Sequence, residues 1–153
     1  MFLFITGCQP DDIPGVGEPF NRKDQLIGTW KLESLIQIEE DAKSKGFPEF
    51  ATSLDLTNIF TGHPYTDFSL TLNADETFTT ELGESYVQML SSGTWKFDDE
   101  EFPTAIVLTS GEETQIVLLG SLAELVYDKV QLKAERKNDS GKAVITYEYN
   151  LSK

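Results

Sequence analysis

Residues 26–38 read Leu-Ile-Gly-Thr-Trp-Lys-Leu-Glu-Ser-Leu-Ile-Gln-Ile, with apolar side chains recurring at every second position over much of the run. A period of two marks a strand with one buried face, and it places Trp30, Leu32, Ser34, Ile36 and Ile38 together. Gly28 stands at the entry, where a residue without a Cβ lets the backbone turn sharply into the strand. Outward from this stretch the same pattern returns. Residues 66–72 align Phe68, Leu70 and Leu72; residues 77–82 align Phe78 and Leu82; residues 92–98 align Trp95 and Phe97. Residues 105–110 and 114–119 form a hairpin about Gly111-Glu112-Glu113. Residues 127–137 set Val130, Leu132 and Ala134 against Lys129, Gln131 and Lys133, and residues 143–151 align Ile145, Tyr147, Tyr149 and Leu151.

Eight short strands joined mainly by turn clusters such as Asn73-Ala74-Asp75 and Asn138–Gly141 predict an all-β chain. An antiparallel up-and-down meander of eight strands closes into a barrel, because closure removes exposed edges. Residues 39–65 form the longest connection, between the first and second strands. Within it, residues 48–60 predict a short helix with Phe50 and Leu54 on one side, and the insertion sits over one mouth as a plug rather than a lid. Residues 121–125 predict a single helical turn.

The composition narrows the function. The chain has 153 residues, 39% of them hydrophobic, with 10 Phe, 5 Tyr and 2 Trp, enough for one globular domain. A net charge of −14 argues against nucleic acid, whose phosphates need clustered Lys and Arg. Residues 129–153 depart from this balance with six bases (Lys129, Lys133, Arg136, Lys137, Lys142, Lys153) against three acids. They read as a solvated outer face of the last strands. One cysteine, Cys8, allows no internal disulfide and no cysteine zinc cluster.

Cys8 ends the run Ile5-Thr6-Gly7-Cys8, an aliphatic residue and two small ones before a cysteine, behind the apolar Met1–Ile5. This is the pattern of a lipobox, in which the thiol carries the lipid. Residues 1–8 read as the remnant of a lipoprotein signal and 9–25, rich in proline and glycine at the start, as a flexible tether. Residues 26–153 form the barrel domain. The start resembles lipoproteins of the Bacteroidetes type, in which acidic residues close behind the cysteine act as a surface-export signal; Asp11 and Asp12 occupy that place. The resemblance implies an outer-membrane lipoprotein held through Cys8, displayed at the surface or on the periplasmic side.

Gly28-Thr29-Trp30-Lys31 recurs as Gly93-Thr94-Trp95-Lys96. The first copy resembles the Gly-x-Trp signature that opens the first strand of lipocalins and lipocalin-like lipoproteins. Residues 71–78, 92–97 and 147–153 are similar to the same group. The resemblance implies an eight-stranded barrel whose base is closed by Trp30, with Arg136, or no residue, as the counterpart of the arginine that packs across that indole in lipocalins.

No chemistry of catalysis is legible. His63 is the only histidine and lies in the turn sequence Thr-Gly-His-Pro-Tyr; there is no Gly-x-Ser-x-Gly elbow and no glycine-rich phosphate loop. The acidic clusters at 39–41, 98–101 and 112–113 lack the spacing of a calcium loop and read as hairpin turns. A binding protein without cofactor or metal is therefore expected. Its apolar interior would be lined by Phe68, Leu70, Phe78, Trp95, Phe97, Ile116, Leu118, Leu132, Tyr147 and Tyr149, and would take a small apolar or amphipathic ligand. The alternative is a surface module with a solid core that docks an envelope protein.

Overall fold

The period-two segments pair in chain order and close on themselves. The computed structural model describes residues 21–153; Cys8, Asp11 and Asp12 lie outside the described residues. A short helix α1 (Arg22–Leu26) is capped by Asn21, whose side chain accepts from the N–H groups of Lys23 and Asp24. The strands are β1 (Gly28–Glu39), β2 (Ser53–Asp55), β3 (Ser69–Leu72), β4 (Thr77–Glu81), β5 (Ser92–Phe97), β6 (Ala105–Ser110), β7 (Glu113–Leu119), β8 (Lys129–Lys137) and β9 (Ala143–Ser152). All pairings are antiparallel. The order β1-β3-β4-β5-β6-β7-β8-β9 is closed by β1 against β9, and the short β2 is added to the far half of β1. The result is the expected eight-stranded up-and-down, lipocalin-like barrel.

Two ends follow from this order. At the base lie α1, Gly28, the 73–76 turn, the 98–104 turn, a 3-10 turn at Leu122–Tyr127 and the C-terminus. At the opposite end lie the 39–68 insertion, the 82–91 loop and the turns after β6 and β8. The insertion holds two short helices rather than one, α2 (Glu40–Ser44) and α3 (Glu49–Thr52), followed by β2 and a 3-10 turn at Tyr65–Asp67. The expected second strand is accordingly shorter, because its first residues enter that turn.

Trp30 closes the base. Its indole N–H donates to the Leu26 carbonyl at 2.7 Å, and Lys153 Nζ lies 4.5 Å from its ring centroid. Lys153 also donates to the carbonyls of Gln25 and Ile27. The residue packed across the indole is thus Lys153, not Arg136, which pairs with Ile145 toward the other end of the barrel. The second Gly-Thr-Trp-Lys repeats the arrangement. Trp95 donates to the Asn73 carbonyl at 3.1 Å, and Lys23 Nζ lies 5.8 Å from its ring centroid.

The face expected for β1 holds only as far as Leu32. The register against β9 slips between Leu32 and Ser34, a β-bulge at Glu33, so Leu35 and Gln37 turn inward while Ser34, Ile36 and Ile38 turn outward. Ile38 is nevertheless buried, as is its outward neighbour Thr146, whose hydroxyl donates to Glu40 of α2 at 2.6 Å.

The acidic turn at 98–101 has a structural cause. Asp98 accepts from Thr104 Oγ1 at 2.6 Å and from the N–H groups of Thr104 and Ala105 at 2.9 and 2.8 Å. These bonds, that from the Thr104 hydroxyl first, hold its carboxyl down at about 2. A folded pKa below the unfolded value of about 3.9 contributes stability in full above that value and loses it as the pH falls toward about 2. Asp98→Asn is expected to flatten this part of the stability–pH curve, as read by urea denaturation across the acid range. A slope equal to that of the parent would refute the assignment.

Candidate functional site

Inside the barrel, Trp30, Phe68, Leu70, Leu72, Phe78, Trp95, Ile106, Leu108 and Leu132 are each at most 1% accessible. A side chain bordering a void large enough for water would show surface to it, so this part of the interior is packed solid. Phe68, Leu70, Phe78, Trp95, Phe97 and Leu132 therefore point inward as expected, but they fill the core instead of lining a ligand space. Ile116 and Leu118 do not point inward. Ile106 pairs with Val117, which is buried, and this register turns Ile116, 60% exposed, and Leu118 to the outer face.

The end opposite the base is closed by two segments. From the insertion, Leu56, Tyr65 and Phe68 are buried against the core. From the 82–91 loop, Val87 and Met89 are buried too. Inward polar side chains fasten this loop. Thr80 Oγ1 donates to the Leu90 carbonyl at 3.0 Å, while Gln115 accepts from Leu90 N–H at 3.1 Å and donates to the Gln88 carbonyl at 3.2 Å. The loop carries no period-two signal, and its role as a plug was not legible from sequence.

Beneath these plugs, Tyr147 and Tyr149 on β9 approach Tyr65. The rings of Tyr149 and Phe68 are 6.2 Å apart. Burial pushes the phenol of Tyr149 far up, with Tyr147 and Tyr65 adding to the shift, and burial also raises Tyr65. Among the described residues no hydrogen bond reaches any of the three hydroxyls. Every fully enclosed side-chain N or O there does have a partner, so the three hydroxyls face space that water can reach. Of the ten residues expected to line the interior, Tyr147 and Tyr149 are the two whose side chains carry a hydroxyl.

The outer surface of the same end is apolar. Phe50 is 87% exposed, and Phe47, Leu54, Ile59, Phe60 and Tyr86 are exposed as well. Phe60 meets Tyr86 edge-on at 5.4 Å and lies 6.4 Å from Tyr65, which links the exposed aromatics to the buried phenols. His63 packs on Tyr86 at 4.8 Å and its Nδ1 lies 2.9 Å from the Glu84 carbonyl, a turn position as expected. The insertion is thus plug and exposed face at once: Leu56 and Tyr65 go in, whereas Phe50 and Leu54 stay out.

The family model of a domain of unknown function, DUF5004, matches residues 7–152. The chain belongs to the DUF5004 family. No curated protein matches it. In this DUF5004 barrel the basic residues near the C-terminus are largely paired with acids. Lys133 meets Glu148 at 2.8 Å, Lys137 meets Glu135 at 3.2 Å, and Lys129 and Lys142 lie 3.6 Å from Glu33 and Asp41. This pairing suits the solvated-face reading of the stretch.

Proposed function

We propose that this DUF5004 protein is a lipid-anchored envelope lipoprotein that docks a partner protein on the exposed apolar face of its insertion. The observation that carries the reading is the concentration of Phe47, Phe50, Leu54, Ile59, Phe60 and Tyr86 at one end of a solid barrel. Exposed large apolar side chains gathered at one end of a folded domain mark an interaction site. The lipobox ending at Cys8 supports the anchor. The first described element, α1, lies at the base, at the end of the barrel opposite the apolar face. Residues 39–65 carry five acids against two bases, which disfavours an anionic lipid surface and suits a partner with basic residues around an apolar centre.

A photo-crosslinking residue at Phe50, in cells of the native host, tests the docking. The expected result is a discrete adduct with one envelope protein, absent when the crosslinker stands at exposed Phe102 near the base. Phe50→Asp with Phe60→Asp is expected to weaken the purified pair by about 100-fold while leaving the melting temperature within a few degrees. Equal adducts from both positions, or none, would overturn the reading. Palmitate labelling that is unchanged by Cys8→Ala would overturn the anchor.

A second reading rests on the three phenols. Tyr65, Tyr147 and Tyr149 present hydroxyls toward water-reachable space beside aromatic rings, which suits the polar end of a small amphipathic ligand. A small molecule retained in the native mass spectrum, and lost in Tyr147→Phe, would favour this reading over protein docking.

A further inference from the structure

We propose that the groove between the Leu122–Tyr127 turn and the outer face of β8, β9 and β1 binds a saccharide. It lies at the base, away from the apolar end, and has a volume of about 600 Å³. That is room for one or two sugar rings within the usual range of small-ligand sites.

The wall of the groove is a tyrosine held outside the core by a fixed turn. Leu125 anchors the turn in the core. Asp128 ends it with φ 55°, a left-handed conformation that Asp tolerates better than most residues. Its N–H donates to the Leu125 carbonyl at 3.1 Å, and its own carbonyl accepts from Lys153 N–H at 3.1 Å. Pinned on both sides, the turn leaves Tyr127 77% exposed beside the groove. Among the described residues its hydroxyl takes part in no hydrogen bond. A flat aromatic face of this kind offers a stacking surface to the C–H face of a pyranose.

The floor is mixed: apolar Val130 and Leu151 line it, and Ser34 and Asn150 add a preorganised polar edge. Gln131 donates to Asn150 Oδ1 at 3.0 Å, and Asn150 donates to Ser34 Oγ at 3.0 Å. This relay fixes the amide of Asn150 while leaving a lone pair on its oxygen and the hydroxyl proton of Ser34 for a ligand. The bulge at Glu33 turns that carboxylate to the rim, where Lys129 stands 3.6 Å away, and Glu124 adds a second carboxylate from the turn. Carboxylates accept from vicinal hydroxyls, and an amide both donates and accepts. Two carboxylates against one ammonium disfavour a phosphate, and apolar surface edged by hydrogen-bonding groups suits the alternating C–H and hydroxyl faces of a sugar.

Titration of the ¹⁵N-labelled protein with glucose, glucose-6-phosphate, maltose, cellobiose, lactose, mannose and N-acetylglucosamine, one at a time, tests the proposal. At least one sugar is expected to shift the amides of Ser34, Tyr127 and Asn150 saturably and to leave those of Phe50 and Phe60 in place. Tyr127→Ala is expected to weaken that binding by roughly tenfold or more with an unchanged melting temperature, because an exposed ring is removed. Three results would overturn the proposal: no shift at the groove with any of these sugars, equal binding by Tyr127→Ala, or tighter binding of glucose-6-phosphate than of glucose.

Discussion

Trp30→Ala is expected to destabilise the barrel by about 3–5 kcal/mol, the usual cost of emptying a buried aromatic site. The indole is 1% accessible and sits where the first strand, α1 and the C-terminus meet. Its loss removes apolar packing, leaves the Leu26 carbonyl without its donor and strips Lys153 of the ring on which its ammonium lies. The neighbours cannot collapse easily into the space, because Gly28 pairs with Leu72 and Lys31 with both Ser69 and Ser152. Trp30→Phe separates the contributions: it keeps most of the buried area but loses the N–H, and about 1 kcal/mol should follow from the hydrogen bond. Urea denaturation of both variants gives the two values. A loss below about 1 kcal/mol for Trp30→Ala would mean that the base is closed by something other than this residue.

Gly93→Ala is expected to cost about as much, roughly 3–5 kcal/mol, for a different reason. Gly93 has φ 154°, and a Cβ built there would lie 1.9 Å from the Thr109 carbonyl oxygen and 3.1 Å from the Phe78 ring. Thr109 belongs to β6, which is paired on both sides, so its carbonyl cannot yield without opening the ladder between β5 and β6. Gly28 has a comparable φ of 130°, but a Cβ there would meet only the flexible end of Lys153, at 3.3 Å. Gly28→Ala should therefore be tolerated better than Gly93→Ala, although the two glycines occupy the same place in the repeated motif. Equal midpoints for the two variants in urea would refute this account.

These two positions also show how far sequence reasoning reaches. That Gly-Thr-Trp opens a strand was legible, since glycine and tryptophan there follow from local chain geometry. The partner of each motif was not. Lys153 is 123 positions from Trp30 in the chain, and only barrel closure brings β9 beside β1. Arg136 was expected at the base because it lies in a late strand, but strand direction carries it to the opposite end. The phase of β7 was lost for another reason. Residues 116–119 are Ile-Val-Leu-Leu, apolar throughout, so alternation gives no face until Ile106 chooses Val117 as its partner. The candidate site divides in the same way: aromatic content was countable, but whether Phe50 or Phe68 is buried depends on what covers each.

What the sequence determined alone is the eight barrel strands, their order around the barrel and the glycine–tryptophan entries. Period-two alternation and turn chemistry are local, and they survive without knowledge of contacts. Tertiary structure decided the rest: the face of β1 beyond Glu33, the solid interior, the two plugs, and the residues left on the outside. Each of these depends on register and closure, which join residues far apart in the chain. A bulge of one residue reverses every side chain after it, and no local pattern records it.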